Sequence, residues 1–221
     1  MNYAMLIVFI ITTSIHLYAS IKSNKPLKDK TKPYILLSLL GFYVYSVEHI
    51  ELTIVLALIF SWIGDMFLIL KGVKWFAVGG VSFMISHFFF ILSYAKTINF
   101  ESIKLIYVLV LGIFFFITVS IIFSKLRPHL PRGLFYPMYL YLLINGAMNC
   151  FAVFRFISNV ELASIITIVG ACLFFISDSA LFFVRFKKDS ILKTHFLVML
   201  TYSIGEFLIV LGLILGQGGI I

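Results

Sequence analysis

Residues 52–70 read LTIVLALIFSWIGDMFLIL, nineteen residues with a single ionisable side chain, Asp65. A helix of that length rises about 28 Å, close to the thickness of a bilayer's hydrocarbon core. Apolar side chains fall on every face of it, so no side is left for water. The stretch is predicted to cross a membrane as a helix, and the chain repeats the pattern on both sides of it.

Comparable runs occupy about 3–21, 33–48, 75–95, 104–123, 134–153, 161–183 and 195–216. With 52–70 they predict an all-α, polytopic membrane helix bundle of about eight transmembrane helices, a single transmembrane domain over 1–221. Hydrophobic residues make up 62% of the 221 and charged residues 12%, against about 25% charged in a soluble domain. Lipid is therefore the expected solvent for the outer surface. Pro33 is expected to open a short second helix that ends at Glu48-His49-Ile50-Glu51, on the outer interface. Pro128 and Pro131 fall in the connection before the sixth helix. Pro137 falls in that helix's first turn, where its missing N–H costs little. Gly216-Gln217-Gly218-Gly219 ends the last helix. The first run lacks the basic flank and cleavage site of a signal peptide and is expected to be retained.

The net charge of +8 would suit nucleic acid, but the cations sit in the gaps between apolar runs, so no nucleic-acid partner is expected. The first, third, fifth and seventh connections hold 14 of the 17 Lys and Arg, from Lys22, Lys25, Lys28, Lys30 and Lys32 to Arg185, Lys187, Lys188 and Lys193. The even connections hold Lys96, Lys104 and Arg155. Strict alternation puts the odd connections in the cytoplasm and both termini outside. A multi-pass protein of the cell (plasma or inner) membrane follows. Orientation alone accounts for most of these cations, while Lys71 and Arg185 are candidates to meet an anionic headgroup or a substrate phosphate. Cys150 and Cys172 both lie within apolar runs, and no disulfide framework is indicated.

The informative residues are those a bilayer penalises. An ionised carboxylate at a helix centre costs about 3 kcal/mol on insertion scales. Asp65 lies six residues before Lys71, and Asp178 seven before Arg185. Both should therefore sit about 9–10 Å inside the cytoplasmic edge, on parallel helices. Gly64-Asp65-Met66-Phe67-Leu68 and Ser177-Asp178-Ser179-Ala180-Leu181 share a small residue, then Asp, then Leu three further on. With the helices that follow them, they sketch a parallel repeat four spans apart. Burial and mutual repulsion disfavour two ionised carboxylates, so one is expected to be protonated and the other ionised, a general acid beside a general base. A hydrogen-bonded pair that only holds the fold is the alternative. His87 and Glu206 lie mid-span, either as interhelical glue or as part of the site. Asn145 and Asn149, spaced i, i+4 with Tyr141 a turn earlier, share one face of the sixth helix, for interhelical bonding or for lining a polar cavity. His16 and His195 are expected at the interface.

Several stretches are similar to the YhhN/TMEM86 family of integral membrane proteins. They are Ser61-Trp62-Ile63-Gly64-Asp65-Met66-Phe67-Leu68, Ser82-Phe83-Met84-Ile85-Ser86-His87 and Leu173-Phe174-Phe175-Ile176-Ser177-Asp178-Ser179. Lys25-Pro26-Leu27 and Tyr136-Pro137-Met138-Tyr139 add to the resemblance, which runs along nearly the whole chain. It implies a lysoplasmalogenase, hydrolysing the vinyl ether of an alkenyl lysophospholipid to a fatty aldehyde and a glycerophospho-headgroup. Protonating the alkene carbon gives an oxocarbenium ion that water captures, and two carboxylates in a polar cavity suffice for this. Asp65 and Asp178 are then the catalytic candidates, in either order of roles. His87, Tyr141, Asn145, Asn149, Ser177 and Glu206 are the substrate-binding candidates, with no metal and no cofactor. The expected partners are a lysophospholipid substrate and membrane lipids, with the oligomeric state open. His87 is expected some way above the aspartates. Three rival readings stay open: a metal-dependent intramembrane lipid hydrolase, a proton- or ion-coupled small-molecule carrier, and a non-catalytic lipid-binding or scaffolding membrane protein.

Overall fold

The computed structural model describes residues 3–187 and 195–218. Among the described residues eight α-helices run α1 Tyr3–Ile21, α2 Lys25–Ser46, α3 Leu52–Ile69, α4 Val73–Ala95, α5 Leu105–Leu126, α6 Phe135–Ser158, α7 Leu162–Phe186 and α8 His195–Gly216. Among the described residues seven of the eight are long and apolar enough to cross a membrane. The exception is α2, whose N-terminal turns carry Lys25, Lys28, Lys30 and Lys32. The chain is a polytopic helical bundle. Lys188, Lys193 and Gly219, which figured in the charge count and the last helix stop, lie outside the described residues.

Two expected boundaries are corrected. The second helix starts at Lys25, eight residues ahead of Pro33, and Pro33 lies inside it. Asn24 caps it by accepting from the Leu27 N–H at 3.2 Å, and Pro26 fills the first turn. A side-chain cap followed by an early proline is a strong start signal, and here it overrides the breaker at Pro33. The five lysines expected in the first connection thereby shrink to one, Lys22, with the other four on α2. The sixth helix runs to Ser158 rather than 153, so Arg155 lies in its last turn and is buried rather than in a loop.

The helices close a ring in which α3 is followed by α4, α6, α7 and α8, and the α1–α2 hairpin joins α8 back to α3. Helix α5 stays outside, against α6; of its residues only Val119 and Leu126 are buried. The hairpins α3–α4 and α7–α8, the halves of the expected repeat, are the most extensively packed neighbours. Small residues make that possible in lipid, where helices gain no hydrophobic drive to associate. A Cβ added at Gly212 would lie 2.6 Å from Ala163 O, and one at Gly170 would lie 2.7 Å from Gly205 O. His16 near the end of α1, Lys71 after α3, Arg185 near the end of α7 and His195 at the start of α8 border one concavity. The odd connections bearing them therefore share one end of the bundle. Tyr3 and Gly216 come to the opposite end.

Candidate active site

Just inside that basic end a cavity of about 80 Å³ opens between α2, α3, α4, α7 and α8. Asp65 of α3 and Asp178 of α7 both line it, so the two carboxylates share one space. Both side chains are almost wholly buried. Leu68, Phe76, Phe83, Val198 and Met199 supply apolar wall. A wider vestibule of about 260 Å³ lies outside it and shares Lys32, Leu68, Arg185 and His195 with it.

The two aspartates have different partners. Lys32 Nζ lies 3.0 Å from Asp65 Oδ1, and the Tyr202 hydroxyl donates to Asp65 Oδ2 at 3.0 Å. Among the described residues Asp178 has no Lys or Arg at that range; neutral donors meet it instead. The Tyr141 hydroxyl donates to Oδ2, and Asn145 Nδ2 donates to the same oxygen at 2.7 Å. Oδ1 of Asp178 is left clear of these donors. A cation beside one carboxylate and neutral donors beside the other make the two sites electrostatically unlike.

His87 is brought closer than expected, with Nε2 3.5 Å from Asp178 Oδ2. That is too long for a good hydrogen bond, but the ring is a direct neighbour, edge-on to Tyr141 and tilted against Phe174. Counting residues along each helix placed it too high. Side chains tilt toward their own helix's N-terminus, and α4 and α7 are antiparallel, so His87 and Asp178 lean toward each other.

The other site candidates fall into layers. Asn149 Nδ2 donates to both O and Oδ1 of Asn145, at 3.0 and 3.3 Å, and so orients the amide that meets Asp178. Tyr141, Asn145, Asn149 and His87 stand behind Asp178 rather than on the cavity wall. Ser177 is on the wall, but its hydroxyl donates to Val198 O at 2.8 Å and ties α7 to α8. Glu206, fully buried on α8, lies beside the Ser61 hydroxyl, which shares a 2.8 Å hydrogen bond with Ser86. Its electrostatic neighbours include both aspartates. His16 is buried against α2, its Nδ1 2.9 Å from Thr31 Oγ1, rather than at an open interface. Arg155 donates to Thr167 Oγ1 at 2.8 Å and to Gly212 O at 3.2 Å, far up the bundle.

Lys32 and Tyr202 are the members that sequence reasoning missed. Lys25, Lys28 and Lys32 are spaced i, i+3, i+7, one face of a helix, but only if the helix begins before Pro33. Tyr202 is four residues before Glu206 and shares its face, a signal that was available. A second, apolar slot lies between α4 and α6, lined by Val81, Met84, Pro137, Met138 and Tyr141. Phe76 borders both this slot and the acidic cavity. Among the described residues no three His, Cys, Asp or Glu side chains converge as a metal-binding group.

Neither a curated protein nor a solved structure matches the chain significantly. The YhhN family model matches residues 27–213, from the first turn of α2 to the last turns of α8 and including every residue of the cavity wall. The chain belongs to the YhhN family.

Proposed function

We propose that this protein is an intramembrane hydrolase that cleaves the vinyl-ether bond of a lysoplasmalogen, with Asp178 as acid and Asp65 as base. Its family includes lysoplasmalogenases, which supports the reaction class. The observation that carries the reading is the pairing of the two carboxylates: both border one buried cavity, and among the described residues Asp65 alone is paired with a Lys or Arg.

The roles follow from that asymmetry. Lys32, 3.0 Å away, is the group that favours the ionised form of Asp65. Asp178, with two neutral donors on Oδ2, is suited to carry its proton on Oδ1 and give it away. Tyr141 and Asn145 then hold the carboxylate that remains. In the first step the Asp178 proton moves to the alkene carbon distal to the ether oxygen, and the adjacent carbon and oxygen share the cationic charge. Asp65 faces that charge and takes a proton from the water that adds to the oxocarbenium carbon, giving a hemiacetal. In the second step the Asp65 proton goes to the departing ether oxygen as the C–O bond breaks, and Asp178 takes the hemiacetal hydroxyl proton. Aldehyde and alcohol leave, and both aspartates return to their starting states. One water is consumed, and this scheme draws on no group outside the chain. The slot between α4 and α6 suits an alkenyl tail, and the basic end, on the cytoplasmic side of the cell membrane, suits the headgroup.

The test is purified protein in neutral detergent with a lysoplasmalogen, monitored for free aldehyde, beside Asp65→Asn and Asp178→Asn. Loss of at least about a hundredfold in each variant is expected for residues acting in proton transfer. A folded variant with full turnover would sink the assignment. Loss of activity on chelation, restored by a metal, would favour the metal-dependent reading. Solute uptake by proteoliposomes without ether cleavage would favour a carrier.

A further inference from the structure

The vestibule outside the acidic cavity has its own chemistry. Lys25, Lys28, Lys32, Lys71 and Arg185 reach its wall from α2, the α3–α4 connection and α7. The acid on the same wall is Asp29, 3.9 Å from Lys25. Lys32 is taken by Asp65. Lys28, Lys71 and Arg185 then remain with no carboxylate partner among the described residues. The Arg185 guanidinium lies 5.6 Å from the centre of the Phe76 ring, which packs beside it. His195 stands in the fields of Lys28, Lys32 and Arg185.

Orientation in a membrane needs cations on one side. It does not need three of them, from separate parts of the chain, around a concavity that opens onto a catalytic cavity. Convergent unpaired cations are a site for an anion that accepts several hydrogen bonds at once, and phosphate is that anion. The wall is poorly suited to a choline or ethanolamine head. A quaternary or primary ammonium is held by carboxylates or aromatic faces, and among the described residues the wall has no Phe, Tyr or Trp. Its Asp29 is already occupied by Lys25.

We propose that this vestibule is a binding site for a net-anionic phosphate, carried on a lipid headgroup or free, and that it disfavours zwitterionic headgroups. The inference rests on the hydrolase reading only for its consequence, that the preferred substrate has a phosphate headgroup without a compensating ammonium. The site itself stands on the geometry.

Binding without turnover separates the two claims. Titration calorimetry on the intact protein in maltoside would use four probes. Two are lysolipids with the same saturated acyl chain, which hold no vinyl ether to hydrolyse: lysophosphatidylglycerol and lysophosphatidylcholine. The others are glycerol 3-phosphate and inorganic phosphate. A cation near a membrane surface is worth about fivefold in binding an anion. Lysophosphatidylglycerol should therefore bind at least about fivefold tighter than lysophosphatidylcholine. Lys71→Gln and Arg185→Gln should each weaken the anionic lipid by about fivefold and leave the zwitterionic one unchanged. Lys71→Arg should keep full affinity, which separates charge loss from misfolding. Glycerol 3-phosphate or inorganic phosphate binding as tightly as the anionic lysolipid would identify a soluble anion as the ligand, and weaker binding would identify the lipid. Equal affinity for the two lysolipids, or indifference to both Gln variants, would overturn the proposal. Failure of aldehyde release with these affinities intact would refute the hydrolase reading and leave the anion site standing.

Discussion

The Lys32–Asp65 pair makes a quantitative expectation that does not depend on the substrate. The Asp65 side chain is 3% exposed and that of Lys32 13%, at 3.0 Å. Removing one member of a buried ion pair costs about 3–5 kcal/mol, because the other charge is left uncompensated. The two deletions should not cost the same. Lys32→Met strands Asp65 inside the bundle, with the Tyr202 hydroxyl still donating to it, so a loss of about 3 kcal/mol is expected. Asp65→Asn strands Lys32, but its stem borders the vestibule and its ammonium can turn toward water. That loss should be about 1 kcal/mol, a lost charge-assisted hydrogen bond without a trapped charge. The double variant should cost about 1 kcal/mol or less, since an apolar side chain beside a neutral amide leaves no charge to desolvate. For a chain of this size 1 kcal/mol corresponds to about 2–4 °C in melting temperature. Lys32→Met should therefore melt about 6–12 °C below the parent, Asp65→Asn about 2–4 °C below, and the double variant near the latter. Thermal unfolding in maltoside followed by tryptophan emission suits the measurement, since Trp62 and Trp75 lie on α3 and α4. A double variant as unstable as the two losses added, or Lys32→Met no worse than Asp65→Asn, would refute the pair as drawn.

Three further outcomes are expected. Tyr141→Phe removes one of two donors to Asp178; at about 1.5–3 kcal/mol per bond to a charged group, kcat for aldehyde release should fall about ten- to a hundredfold with KM held, and a change in KM alone would place Tyr141 in substrate binding instead. Gly212→Ala puts a Cβ 2.3 Å from Thr167 Oγ1 and 2.6 Å from Ala163 O, so α7 and α8 must part and the melting temperature should drop, whereas Gly80→Ala, with nothing within 4 Å, should stay within about 0.5 kcal/mol of the parent. Arg155→Met removes a buried cation that has no carboxylate ion-pair partner among the described residues, and it should hold or raise the melting temperature; a loss above about 2 kcal/mol would show that its bonds to Thr167 and Gly212 outweigh its desolvation.

The all-helical membrane fold was legible because lipid leaves few alternatives: long runs without a polar face, with cations confined to alternate gaps, admit little else. The shared location of Asp65 and Asp178 was legible for the same reason, since depth follows from counting along a helix from its charged end. Lateral arrangement was not. Hydrophobic periodicity carries no information when every face is apolar, so nothing showed that α5 would stand outside the ring or that α6 would stand next to α4. His87 was misplaced because residue counting ignores side-chain tilt. Lys32 was misread because a lysine near a membrane end is ordinarily topology, and Pro33 hid the helix that carries it inward.

The bonds made to the two buried carboxylates also close the bundle. Asp178 takes its donors from α6, Asp65 takes its own from α2 and α8, Ser61 and Ser86 join α3 to α4, and Ser177 joins α7 to α8. Most of the ring's neighbouring helices are therefore tied by polar bonds at or near the level of the cavity. In lipid such bonds are worth about 0.6 kcal/mol each on average, less than burying the carboxylates costs. A ring of apolar contacts and glycine seams would hold at least as well, so stability does not account for two buried carboxylates with a cation on one of them. The proposed acid–base function, which needs unlike carboxylates, does account for it, and the coupling has a consequence. On the proposed mechanism, changes that loosen α6 against α7 or α8 against α3 should reduce turnover before they unfold the protein, because the donors that position the proposed acid and base are the first contacts to go.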